Sequence, residues 1–148
     1  MHTTSLSNDS RENSPTTAAL PEGDRARATA STRILVVDDE PLIADTIVQI
    51  LNRNGFIAEA AYGGREAIAA ARLTSPELIL SDVLMPHVDG VEAAITIQKF
   101  LPDARIVLFS GQAATVEILA RARQRGYQFE LLAKPLHPTQ LIKHLRQE

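Results

Sequence analysis

"LILSDVLMPHVDG" (residues 78–90) decides how this chain is to be read. Leu78, Ile79 and Leu80 are apolar residues of strand type; they run into Ser81 and Asp82, and Pro86 follows four positions later. A carboxylate at the end of a buried strand is costly unless a charge answers it. Pro86 and Gly90 stand between Asp82 and the next helical pattern, so Asp82 is not that helix's cap. The same figure recurs along the chain: an apolar run closes on polar residues in "RILVVDDE" (33–40), "ARIVLFSG" (104–111) and "FELLAKP" (129–135). "FIAEAAY" (56–62) reads as a weaker strand.

Helical patterns separate these runs. "PLIADTIVQILNRNG" (41–55) puts Ile43, Ile47, Ile50 and Leu51 on one face, with Pro41 at its start and Gly55 at its end. "GGREAIAAARLTS" (63–75) aligns Ala67, Ile68 and Ala71, and "DGVEAAITIQKFLP" (89–102) aligns Val91, Ala94, Ile95 and Ile97. "AATVEILARARQRG" (113–126) and "HPTQLIKHLRQE" (137–148) complete the alternation. Five strand–helix units in succession predict a parallel sheet covered on both faces. Right-handed crossovers narrow that to an α/β, doubly wound five-stranded sheet.

Composition excludes several classes. The chain has 148 residues, 45% hydrophobic and 22% charged, which suits one ordinary domain and a modest tail. Residues 1–31 are rich in Ser, Thr, Ala and Pro without apolar period and are expected to be a flexible tail. A net charge of -3 gives no basic footprint for nucleic acid. The absence of cysteine rules out disulfides, thiolate catalysis and Cys-based zinc sites. No apolar stretch approaches the ~20 residues of a membrane helix, and no signal-peptide core is present, so a cytoplasmic protein without membrane contact is expected.

In an open parallel sheet, sites form beyond the carboxyl ends of the strands. If strand one is central, flanked by two and three, then Asp38, Asp39, Asp82, Ser110 and Lys134 converge at one rim. Several carboxylates so close either raise a pKa or recruit a cation. Oxygen ligands without sulfur favour a hard cation, Mg²⁺ above all. Lys134 offers a compact charge and Ser110 a hydroxyl for a phosphate oxygen. Together these parts suit an acyl phosphate formed on Asp82.

With "VVDDE" (36–40), "SDVLMPHVDG" (81–90), "FSG" (109–111) and "AKP" (133–135) in order, each ending its own strand, residues 32–148 resemble the receiver domain of two-component response regulators, in the CheY-like superfamily. The resemblance implies a flavodoxin-like (βα)5 three-layer sandwich with strand order 2-1-3-4-5. It implies that Asp82 accepts phosphate from a sensor histidine kinase or phosphotransfer protein. Asp38, Asp39, Asp82 and the backbone carbonyl of Leu84 would hold Mg²⁺. Ser110 would be the switch hydroxyl, Lys134 the phosphate-pairing base, and the Lys134–Pro135 bond cis. Gly90 would open the third helix from a tight turn. Helix four, strand five and helix five would present the surface for a downstream protein. Leu84 and Gln112 would tune dephosphorylation, and the apolar Leu84 predicts a slow one.

Two departures stand out. The family usually carries Tyr or Phe three residues before the lysine, where this chain has Leu131, with Phe129 and Tyr127 nearby as substitutes. His137 takes a helix N-cap where Asp is commoner, which predicts a weaker cap. Blander readings stand beside the sharp ones. Ser110 could be a turn residue, and Asp38-Asp39 an acidic loop. Arg121, Arg123 and Arg125 read as a solvated face suited to a helix C-terminus rather than a DNA contact. His2, His87, His137 and His144 show no metal-ligand spacing. Two competing functions remain. One is a phosphate-independent scaffold, kept open by Leu131. The other is a Mg²⁺-dependent phosphohydrolase resembling the haloacid dehalogenase family, disfavoured because its paired aspartates sit two apart on the first strand, not adjacent.

Overall fold

Ten elements alternate strictly, as the hydrophobic runs predict. In the computed structural model, which describes residues 31–111 and 115–147, they are β1 (Arg33–Val37), α1 (Pro41–Arg53), β2 (Ile57–Ala61), α2 (Gly64–Thr74), β3 (Leu78–Asp82), α3 (Gly90–Phe100), β4 (Arg105–Ser110), α4 (Thr115–Gln124), β5 (Glu130–Ala133) and α5 (Pro138–Arg146). The expected tail lies outside the described residues save Ser31, as does Gln112. All strand pairs are parallel, in the order β2-β1-β3-β4-β5. This is the doubly wound, flavodoxin-like sandwich, with β1, β3 and β4 inside and β2 and β5 at the edges.

Burial explains why some runs read clearly and others weakly. All five residues of β3 are buried, while β2 up to its buried last residue Ala61 and all of β5 alternate between exposed and half-buried positions because each has only one neighbouring strand. One apolar layer joins Leu35, Val37, Ile79 and Leu108 to α2, α3 and α4; the other joins Ile34, Val36, Leu80 and Phe109 to α1 and α5. Alternate strand residues thus feed opposite layers.

The helices keep most of their expected faces. In α1 the fully buried set is Ala44, Ile47 and Leu51, while Ile43 and Ile50 are only half-buried. The α1 seam is therefore rotated toward the small Ala44, which lets the helix lie closer to the sheet. Pro41 opens α1 and Gly55, at φ 91°, follows it in the left-handed region. The α3 helix buries Ala93 as well as the expected residues, because β3, β4, α2 and α4 surround it. The N-cap of α5 is His137, which makes no side-chain cap bond, as its residue type predicts.

Far from the rim, Arg105 fastens α5. Its guanidinium bridges Glu130 through two contacts of 2.7 Å and donates to the carbonyls of Leu145 (2.8 Å) and His144 (3.1 Å). The His144 ring also meets Glu130 at 2.8 Å. The Arg105 guanidinium and His144 hold the Glu130 carboxyl below its usual range against the opposing effect of burial.

Candidate functional site

Four strands deliver the site from their carboxyl ends. Asp38 and Asp39 follow β1, Asp82 is the last residue of β3, Ser110 the last of β4, and Lys134 follows β5. Asp38, Asp82 and Ser110 are buried, and Asp39 is the most accessible of the acids. Asp38, Asp39 and Asp82 each offer a carboxylate oxygen within 4.8 Å of the others. The Lys134 ammonium lies 3.5 Å from Asp82 Oδ1. The Lys134 backbone N–H donates to the Ser110 carbonyl at 3.1 Å, so lysine and serine share the same stretch of ladder. The Lys134–Pro135 bond is cis.

The acids are held but not satisfied. Asp38 Oδ1 accepts from the Glu40 backbone N–H at 2.9 Å, whereas Asp38 Oδ2 is buried without a partner among the described residues. Burial pushes the Asp38 carboxyl above its ordinary value; the Glu40 bond opposes this and neighbouring Asp82 adds to it. Burial likewise raises Asp82, against the pull of Lys134. An orphaned carboxylate oxygen on a residue clustered with two further carboxylates fits a hard divalent cation, which would relieve the repulsion among them. The donor set is all oxygen, as Mg²⁺ requires.

The loop after Asp82 is wedged in place. The Ser81 hydroxyl donates to the Asp82 carbonyl at 2.9 Å. A Cβ on Gly90 would collide with that same carbonyl oxygen, and would lie 2.9 Å from Asp82 C and 3.0 Å from Val83 Cα. Gly90 thus needs its missing Cβ, as expected, because the loop closes back on itself through Gly90 N–H to the Val83 carbonyl (2.8 Å) and brings the start of α3 against the strand end. Asp89 caps α3 by accepting from the Glu92 N–H at 2.8 Å. A Cβ on Gly64 would similarly meet Val88, so the loop is braced by α2 on one side and α3 on the other. Leu84 lies within this loop and is 42% exposed; its carbonyl was expected to serve as a metal ligand and its apolar side chain to slow dephosphorylation.

Some neighbours escaped sequence reasoning. Lys134 Nζ sits over the Phe109 ring, 5.4 Å from its centroid. Beside it runs an apolar groove of about 610 Å³ lined by Ile43, Ile47, Phe109, Pro135 and Leu136, with Leu42 at its lip. Leu131 is 41% exposed on β5, while Tyr127 and Phe129 stack at 6.2 Å and pack against the α4-side layer. Of the three arginines, Arg121 and Arg123 are exposed in the last turn of α4, and Arg125 pairs with Glu92 at 3.4 Å.

Fold and rim together define a doubly wound α/β domain with an acidic cluster and a lysine at the carboxyl edge of its sheet, and comparison with known proteins gives the family. The response regulator receiver domain profile matches residues 34–146, and the chain belongs to that family. The chain is 26% identical to the chemotaxis protein CheY of Thermotoga maritima over 114 residues, 76% of this chain and 93% of that one. It is 33% identical to the transcriptional regulatory protein PdtaR of Mycobacterium tuberculosis over 120 residues, 79% of this chain but 56% of that one. Among solved structures, the chemotaxis protein CheY4 of Vibrio cholerae superposes with a TM-score of 0.72 at 28% identity, covering 80% of this chain and 98% of that one. The chain thus spans nearly all of some relatives and about half the length of others. No helix among the described residues is long and apolar enough to cross a membrane.

Proposed function

We propose that Asp82 accepts a phosphoryl group from a sensor histidine kinase or phosphotransfer protein and that the resulting change is read by a protein partner. One observation carries this reading: a buried Asp82 carboxylate meets an ammonium on one side and two further carboxylates, one with an orphaned oxygen, on the other. The Asp82 carboxylate oxygen attacks phosphorus, an O–P bond forms, and the P–N bond to the donor imidazole breaks, the imidazole leaving with a proton. Asp38, Asp39, Asp82 and the Leu84 carbonyl would hold Mg²⁺, which supplies neutralisation of the phosphoryl charge. Lys134 pairs with a phosphoryl oxygen, and the Ser110 hydroxyl donates to another. The exposed apolar residues Val116 of α4 and Leu131 of β5 support a protein-reading surface across α4, β5 and α5, with no direct nucleic-acid contact. The domain is a signalling module whose only chemistry is its own phosphorylation and slow dephosphorylation.

Incubation with Mg²⁺ and acetyl phosphate should yield a hydroxylamine-labile phosphoryl adduct, absent from Asp82→Asn and reduced without metal. An adduct surviving in Asp82→Asn would end this reading. A phosphate-independent scaffold is the second reading, favoured by the half-exposed Leu131. Backbone NMR shifts confined to the immediate pocket on adding beryllofluoride, a phosphoryl mimic, would select it.

A further inference from the structure

We propose that Phe109 is a positioning residue for Lys134: its ring face holds the ammonium where it meets an anionic group carried by Asp82. The proposal rests on the reading of Asp82 as phosphoacceptor. Lys134 carries its charge on a flexible four-carbon stem with considerable rotamer freedom. At 3.5 Å its contact with Asp82 Oδ1 is longer than the ~2.8 Å of a well-made charged hydrogen bond, so the carboxylate alone does not fix it. The Lys134 side chain is also one-third exposed. A second attraction comes from another direction. The ammonium lies 5.4 Å from the Phe109 ring centroid, inside the ~6 Å reach of a cation–π contact.

Phe109 is well suited to be a platform. It is fully buried, and its carbonyl accepts from Val83 N–H at 3.2 Å. It is also the register partner of Asp82 across the β3–β4 ladder. The ring is therefore fixed relative to the acid that Lys134 must serve. Ile43, Ile47 and Leu136 line the groove beside it, giving the ring an apolar surround. A leucine at 109 would fill much of the same space and offer no negative face to a cation.

The test replaces Phe109 with phenylalanine bearing one, two or three ring fluorines, which weaken the face charge stepwise while largely keeping the shape. Affinity for beryllofluoride in the presence of Mg²⁺ should fall stepwise, by about 2- to 5-fold over the series. Separately, the Lys134 ε-methylene protons should show an upfield ring-current shift that Phe109→Leu abolishes in the metal-free protein. Equal affinity across the fluorinated series overturns the proposal. So do ε-methylene shifts that are identical in the wild-type protein and Phe109→Leu. Should the wild-type protein bind no beryllofluoride, the role of Asp82 fails, and the ring-current shift alone decides whether Phe109 holds Lys134.

Discussion

Replacing Asp38 by asparagine is expected to stabilise the metal-free protein while weakening its response to Mg²⁺. Asp38 is fully buried, with one oxygen held by Glu40 and the other without a partner among the described residues. Burial and the nearby Asp82 raise its pKa from an ordinary value of 3.8. An acid whose folded pKa is raised binds its proton more tightly when folded, so stability is lost as pH climbs from about 3.8 through the folded pKa. The deficit is complete above that folded value. Asparagine keeps an oxygen for the Glu40 N–H and turns the orphaned atom into an amide donor beside the remaining carboxylates. The gain in the metal-free protein should be about 1–2 kcal/mol at neutral pH and vanish near pH 3.5. Mg²⁺ at ten times its Kd should add about 1.4 kcal/mol to the wild-type protein and clearly less to the variant, which offers one carboxylate fewer. Urea unfolding followed by far-UV circular dichroism, with EDTA or Mg²⁺ across this pH range, reads both effects. A variant less stable than wild type at neutral pH in EDTA, or equal stabilisation of both by Mg²⁺, would refute the reasoning.

Gly90→Ala should cost about 2–3 kcal/mol, because its Cβ meets backbone atoms of Asp82 and Val83 that cannot yield locally. Gly111→Ala should stay within about 0.5 kcal/mol, since its Cβ meets Lys134 Cβ at an ordinary 3.5 Å; equal losses for the two in urea unfolding would contradict this contrast. Arg105→Met should cost about 2–3 kcal/mol and speed hydrogen exchange in the last turn of α5, because it leaves Glu130 with His144 alone and frees two helix carbonyls. Arg33→Met, whose ion pair with Glu77 is exposed and 3.6 Å long, should change stability by less than about 0.5 kcal/mol.

The fold was legible because β1, β3 and β4 are buried on both faces, which leaves unbroken apolar runs that close abruptly on Asp38, Asp82 and Ser110. The weaker signal of β2 has a physical origin too: an edge strand mixes exposed Ile57 and Glu59 with buried Ala61, blurring its period. Helical faces were readable to within a residue. Periodicity weights Ile43 over Ala44, yet the small side chain is the one that fits flush against the sheet. At the rim, which residues converge could be read from the order of strand ends. How they are held could not, since that depends on contacts between distant elements. Gly90 illustrates the point: its need for a missing Cβ was legible, whereas the Asp82 and Val83 backbone atoms that impose it were not. The placement of Lys134 over Phe109 likewise needs the relative height of β4 and the β5–α5 connection, which no local pattern encodes.

The Arg105 clamp gives α5 a mechanical character. Its final carbonyls are pinned at the end of the sheet opposite the acids, while its first turn hangs from Lys134 through three residues. A rod of 9 residues is about 13 Å long, so a 1 Å shift of its free end swings the axis by about 4°. Held by Arg105 at its last turn and by Leu141, Ile142 and Leu145 along its buried face, α5 is expected to pivot about the Arg105 end when its first turn shifts. Such a pivot would turn small translations at the rim into rotation of the exposed row formed by Thr139, Gln140 and Lys143.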